Sequence, residues 1–235
     1  MISFNNISIG YKKTLFNIDN LILDKGNMYV LAGKNGVGKS TLLKSICGLT
    51  KPITGELLID NKPIHKYSNK ELSHYCSFVE TGFKGVPYLT AFDYVSLGRT
   101  PYLNRWGEIQ QNELDIINKS LDTIGLKKFS KIHTNKLSDG ERQLLSIARA
   151  LCQDTPIILL DEPTAFLDYF NKKKILQLLK KITVESQKVI ILSSHDLDIC
   201  IEEKIPFLII SEKDKKLSLQ SEYDKSKLIS IGFGN

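Results

Sequence analysis

The chain has 235 residues, enough to bury a substantial core as one domain with room for an inserted lobe. Hydrophobic residues make up 42% and charged residues 25%, ordinary values for a globular protein that exclude a disordered or collagen-like chain. A formal charge of +6 raises nucleic acid or an anionic membrane as partners, yet the lysines fall in short runs and in an acid-containing tail, the pattern of solvated faces.

No apolar run reaches the roughly 20 residues that span a bilayer. The opening MISFNNISIGYKK also lacks the charged start and apolar middle of a signal peptide, so a cytoplasmic location is expected. Cys47, Cys76, Cys152 and Cys200 form no C-x-x-C pair, which predicts small buried thiols in a reducing compartment rather than disulfides or zinc.

Alternation in ISFNNISIGY and the turn DKGN before MYVLAG predict an opening set of strands that ends at Gly33. GKSTLLKSICGL reads as a helix stopped by Gly48 and Pro52, and GELLID as a further strand. Ser68 with Glu71 is a capping-box pattern at the start of SNKELSHY. From about Thr81 to Lys136 the chain turns helical. Thr90 with Asp93 caps AFDYVSLG, and Leu114, Ile117, Leu121 and Ile124 recur on one helical face before Gly125. A helix over about 141–151 follows, then the strand PIILL, the helix KKKILQLLKKI and the strands KVIILSS and PFLIIS. Continuous apolar strands alternating with helices predict an α/β fold with a mostly parallel sheet covered on both faces. The expected organisation is a single domain over 1–235, with an N-terminal antiparallel strand set and a helical lobe inserted at about 82–151.

GKNGVGKS, from Gly33 to Ser40, matches the phosphate-loop pattern G-x-x-x-x-G-K-[ST] between a strand and a helix. Glycines 33, 36 and 38 let backbone amides turn toward phosphate oxygens, and the helix that follows adds its positive end. Lys39 would reach the β- and γ-phosphates of ATP, and the Ser40 hydroxyl would bind Mg²⁺. Asp161 and Glu162 lie where the strand PIILL leaves the sheet at its carboxyl end, the edge at which open α/β folds bind ligands. Asp161 would hold Mg²⁺, and Glu162 would polarise the attacking water.

LSDGERQ is a second candidate anion site. Ser138 and Glu141 form S-x-x-E ahead of an apolar stripe of Leu144, Ile147, Ala148 and Leu151, which equally describes a plain capped core helix.

GKNGVGKST, LSDGERQ, ILLDEPTAFLD and SSHD in that order resemble the ATPase subunit of ATP-binding cassette transporters, a P-loop NTPase fold, over nearly the whole span from Tyr11 to His195. The resemblance implies nucleotide binding by Gly33, Lys34, Asn35, Gly36, Val37, Gly38, Lys39, Ser40 and Thr41. It also implies an adenine-stacking aromatic at Tyr11, a switch histidine at His195 and a dimer-contacting acid at Asp168. Ser138, Asp139, Gly140 and Glu141 would reach across to ATP held by a second copy in a head-to-tail homodimer. Asp139 and Glu141 depart from the usual L-S-G-G-Q and add negative charge there. CSFVETGFKG lacks the family's metal-sensing glutamine, which leaves Glu80 and Thr81 as candidate oxygen ligands.

TAFDYVSLGRTPYLNRWG and ALCQDTPIILLDEPTAFLD resemble the subgroup that serves importers of iron chelates, haem and cobalamin. Its members imply a two-fold membrane permease, an extracytoplasmic substrate-binding protein, a peripheral position on the cytoplasmic face of the inner (cell) membrane, and no nucleic acid. The permease contact is expected around Phe83 to Tyr102, whose aromatics equally suit the lobe's own small core. Three other readings are an exporter's cassette, a soluble cassette ATPase acting on nucleic acid or ribosomes, and a nucleotide-binding module with poor hydrolysis.

Overall fold

The computed structural model describes residues 1–234. Strand β1 (Ile2–Gly10) pairs antiparallel with β2 (Thr14–Ile18) and β3 (Leu21–Leu23). Its apolar residues change phase along the strand, because the pairing register shifts between Asn5 and Ser8 and Asn6 sits at φ +44°. This bulge turns Ile2 and Phe4 on one side of it, and Ile7 and Ile9 on the other, into the same core.

Strand β4 (Met28–Ala32) follows the predicted turn and leads into helix α1 (Lys39–Ile46), which ends just ahead of Gly48 at φ +73°. Strand β5 (Thr54–Ile59) returns to pair with β1, and β6 (Lys62–Pro63) edges the sheet. The expected capping box of Ser68 and Glu71 then opens helix α2 (Asn69–Tyr75). Cys76–Val79, to which the sequence reading assigns no element, forms strand β7, whose parallel partner is β8 (Ile157–Leu160).

The helical lobe lies between those two strands. It contains α3 (Ala91–Ser96), α4 (Gln111–Thr123) and α5 (Asp139–Cys152), packed on one another. Thr90 and Asp93 cap α3 as expected. The stretch is less helical than its sequence suggests. Residues 82–89 and 103–110 are irregular, and glycines at positive φ (Gly82, Gly85 and Gly107) hold those segments out of a helix. A buried ion pair staples the lobe: the Arg99 guanidinium donates to the Glu113 carboxylate on α4 and to the Cys152 carbonyl at 2.8 Å. It also lies 3.9 Å from the centre of the Tyr102 ring.

Helix α6 (Tyr169–Glu185), strand β9 (Val189–Ser193), helix α7 (Leu197–Glu202) and strand β10 (Phe207–Ser211) complete the α/β core. The charged tail then forms an antiparallel strand β11 (Lys216–Gln220) and a helix α8 (Lys225–Phe233) packed on β10. One sheet results, in the order β6-β5-β1-β2-β11-β10-β4-β9-β8-β7, with β3 beside β1. From β10 to β7 every neighbouring pair is parallel.

The continuous apolar runs of these central strands serve two cores at once. Met28, Val30 and Ala32 face the lobe and α6, while Tyr29 and Leu31 face α1 and the antiparallel strands. Cys76, Cys152 and Cys200 are buried free thiols and Cys47 is partly buried. Burial pushes the Cys152 thiol up to about 11 and the Cys200 thiol up to about 12, so both act as small hydrophobes.

Removing Glu113 leaves the buried Arg99 guanidinium without its counter-ion. Glu113→Ala is expected to cost about 3–5 kcal/mol in urea unfolding, with part recovered in Arg99→Met/Glu113→Leu. A loss below about 1 kcal/mol, the size measured for exposed pairs, would contradict the burial argument.

Candidate functional site

The parallel register decides what meets at the carboxyl edge of the sheet. Leu160 on β8 pairs with Leu192 on β9, and Leu31 on β4 pairs with Ser193. The residues that leave these three strands therefore share one edge: the loop from Gly33, the turn at Asp161 and Glu162, and the run Ser193 to His195.

In the loop, Gly36 and Gly38 adopt φ +77° and +113°, values that favour glycine. A Cβ on Gly38 would also stand 2.9 Å from the Phe16 ring. Lys39 is 6% exposed and folds back across the loop, donating from Nζ to the Gly33 carbonyl at 2.8 Å and the Lys34 carbonyl at 3.2 Å. Burial lowers its ammonium pKa, and the nearby charges of Glu162 and Asp161 oppose that shift. Lys34 pairs with Glu212 at 3.0 Å, which ties the loop to the end of β10. Ser40 is exposed at the start of α1, and Tyr11 is 66% exposed on the turn between β1 and β2.

Four groups form a connected set at the ends of β8 and β9. The Asp161 N–H donates to the Val79 carbonyl at 2.8 Å, and the Glu162 N–H donates to Ser193 Oγ at 2.8 Å. Ser193 in turn donates to Asp161 Oδ1 at 2.6 Å. His195 Nε2 lies 3.0 Å from Glu162 Oε1, and both side chains are partly open to solvent. Glu162 sits at φ +47°, a left-handed conformation uncommon for a glutamate and frequent at active sites.

The two weaker metal candidates part company here. Thr81 donates its hydroxyl to the Asp161 carbonyl at 2.6 Å, so it does reach the carboxylate turn. Glu80 instead pairs with Lys44 on α1 at 2.8 Å, and that hydrogen bond raises the lysine's pKa. Its carboxylate is therefore engaged by an ammonium, against the expectation of a free oxygen ligand.

The second anion candidate stands apart from the first. Ser138 to Glu141 and Asp168 line one groove of about 540 Å³, and none of residues 33–41 lines it. Ser138 caps α5 with the expected box, its Oγ accepting from the Glu141 N–H at 3.3 Å. The Glu141 carboxylate accepts the Ser138 N–H and hydroxyl, each at 2.8 Å. Arg142 pairs with Asp139, so one of the two charges that set this signature apart is compensated within the same turn of helix. Asp168 caps α6, and the Asn171 N–H at 2.9 Å holds its pKa below the usual carboxylate value.

Sequence reasoning missed Ser193 and Arg142. Ser193 carries one legible signal, its place at the carboxyl end of a strand two residues before His195. Arg142 carries none, since a lysine or arginine one turn into a helix is ordinary.

A family model described as "ABC transporter" matches residues 16–165, which is more than half of the chain. The chain belongs to the ABC transporter family. This cassette is 34% identical over 221 residues to the petrobactin import ATP-binding protein FpuD of Bacillus anthracis, covering 92% of the chain and 79% of that protein. It is 33% identical to the iron(3+)-hydroxamate import ATP-binding protein FhuC of Bacillus subtilis (strain 168), with 84% and 74% covered. A solved ATP-binding cassette, a dimer in a post-hydrolysis state bound to ADP and Pi, superposes with a TM-score of 0.78 at 32% identity, covering 94% of this chain and 98% of that one. The chain is thus an ATP-binding, ATP-hydrolysing cassette with the P-loop NTPase fold.

Gly38→Ala forces a Cβ into the Phe16 ring at a backbone angle that alanine rarely adopts. ATP affinity is expected to fall by at least about tenfold while the circular dichroism spectrum stays native. Unchanged affinity would mean that the loop does not need this conformation to bind phosphate.

Proposed function

We propose that two copies of the cassette close head to tail over two ATP molecules and thereby drive a two-fold membrane permease that imports an iron chelate or a related metal complex. The observation that carries this reading is the separation of the two anion sites, because a groove that excludes its own phosphate loop is suited to another copy's ATP. The relatives named as importers of petrobactin and of iron(3+)-hydroxamate support the cargo class over export or nucleic-acid work. An extracytoplasmic binding protein would deliver the chelate. No helix among the described residues is long and apolar enough to cross a membrane. In this reading the permease spans the membrane and the cassette docks on its cytoplasmic face. The lobe at about 82–151, as part of a single-domain cassette, would make that contact.

Within each composite site the loop amides from Gly33 to Thr41 and the positive end of α1 would hold the phosphates, with Lys39 neutralising the β- and γ-oxygens. Tyr11 would stack on the adenine. The Ser40 hydroxyl and the Asp161 carboxylate are hard oxygen donors of the kind Mg²⁺ takes, and Asp161 Oδ2 has no hydrogen-bond partner among the described residues. Mg²⁺ held there would neutralise charge that develops on the phosphates. Glu162 would accept a proton from the water that attacks the γ-phosphorus as the bond to the bridging oxygen breaks. His195, 3.0 Å away, would keep that carboxylate aimed and touch the γ-phosphate. Ser138 and the Gly140 amide of the second copy would close the far side, with Asp168 at the seam. For Ser138 to donate to phosphate, its hydroxyl must leave the Glu141 carboxylate.

Glu162→Gln is expected to lower ATP turnover by about 10²–10⁴-fold with ATP binding retained. Tagged chain, drawn from gently solubilised native membranes, is expected to carry a multi-span permease in equal amount. Turnover unaffected by the substitution would remove Glu162 from the chemistry, and recovery with RNA or ribosomal protein instead would overturn the transport reading.

A further inference from the structure

Among the buried polar groups to which the proposed site gives no role, Ser193 touches both carboxylate residues. Ser193 is fully buried at the end of β9, between the strand that feeds the phosphate loop and the strand that feeds the carboxylates. Its neighbours fix the direction of both its hydrogen bonds. The Glu162 N–H can only donate, so Ser193 Oγ accepts at 2.8 Å; an ionised Asp161 can only accept, so the hydroxyl proton points to Oδ1 at 2.6 Å.

We infer that Ser193 is a positioning residue that sets both carboxylates of the hydrolytic site through one hydroxyl. Toward Asp161, it occupies Oδ1 and so presents Oδ2 in a fixed direction. Toward Glu162, it satisfies the N–H of a residue held at φ +47°, a conformation that persists only when its surroundings impose it. That backbone angle carries the Glu162 side chain to His195. The other bonds at this turn, Asp161 N–H to Val79 O and Thr81 Oγ to Asp161 O, hold main-chain atoms and leave the Asp161 carboxylate free to rotate. Ser193 alone among them grips the carboxylate itself. Partners behind metal-binding groups commonly matter by about 10–100-fold in metal affinity or activity.

This inference rests on the proposed roles of Asp161 and Glu162, and the test separates the two. ATP turnover and the binding of a non-hydrolysable fluorescent ATP analogue are measured across a Mg²⁺ titration for the native chain, Ser193→Ala, Ser193→Thr and Asp161→Asn. Ser193→Ala is expected to lower kcat by about 10–100-fold and to raise the half-saturating Mg²⁺ concentration for analogue binding about tenfold. Its Mg²⁺-free affinity should match the native chain's. Ser193→Thr, which keeps the hydroxyl, should recover both quantities to within about threefold of native. If the alanine chain fails to fold, Ser193→Cys, of similar size with a poorer donor, takes its place and is expected to show the same two losses. Native Mg²⁺ dependence in Ser193→Ala, or a threonine chain no better than the alanine chain, would overturn the positioning role. Native Mg²⁺ dependence in Asp161→Asn would overturn the reading of the site beneath it.

Discussion

Everything at the site depends on the parallel pairing of β4, β9 and β8. A parallel pair in register brings successive strand ends to one edge, and here the three ends carry the phosphate loop, the Ser193–His195 run and the Asp161–Glu162 turn. The pairing is held from both faces, because alternate residues of each strand enter different cores. Fully burying one such Ile or Leu is worth roughly 1.5–3 kcal/mol. A slip of one residue would exchange the faces of a strand and also carry its terminal functional group away from its neighbours. Stability and site geometry thus rest on the same register.

The charges at that edge are managed locally. Lys39 is held against two backbone carbonyls and near two carboxylates, so a buried ammonium is surrounded by acceptors. At the other anion site Arg142 answers Asp139, and the α5 capping box absorbs Glu141. The two acids that distinguish this signature therefore place less uncompensated charge at the groove than their sequence suggests. The same box gives the Ser138 hydroxyl a partner that a dimer closing as proposed would have to displace.

Much of this was legible in the sequence where a residue pattern has one physical meaning. Three predicted capping boxes, at Ser68, Thr90 and Ser138, all form. The phosphate loop lies between a strand and a helix as its spacing requires, and α/β layering follows from apolar runs without alternation. Short or mixed patterns were illegible. CSFV is four residues long, too few for periodicity to separate a strand from a loop, and it pairs as β7 because β8 offers an open edge. In the tail, β11 buries only Leu217 deeply, so its alternation is faint, and α8 gains its helix by packing on β10. Ser193 was missed because its role arises from two residues in the turn that follows another strand, so its place at the end of β9 marks the edge it belongs to but not the partners it holds.

The claim on which the account turns is that each ATP is shared between two chains. The most direct measurement is turnover in a mixture of Lys39→Ala and Ser138→Arg chains, each inactive alone. One heterodimer arrangement places both lesions in one composite site and leaves the other intact, so the account predicts recovery of up to about a quarter of native turnover, from half the dimers with one working site each. A mixture no more active than either variant alone would contradict the sharing of sites across the dimer.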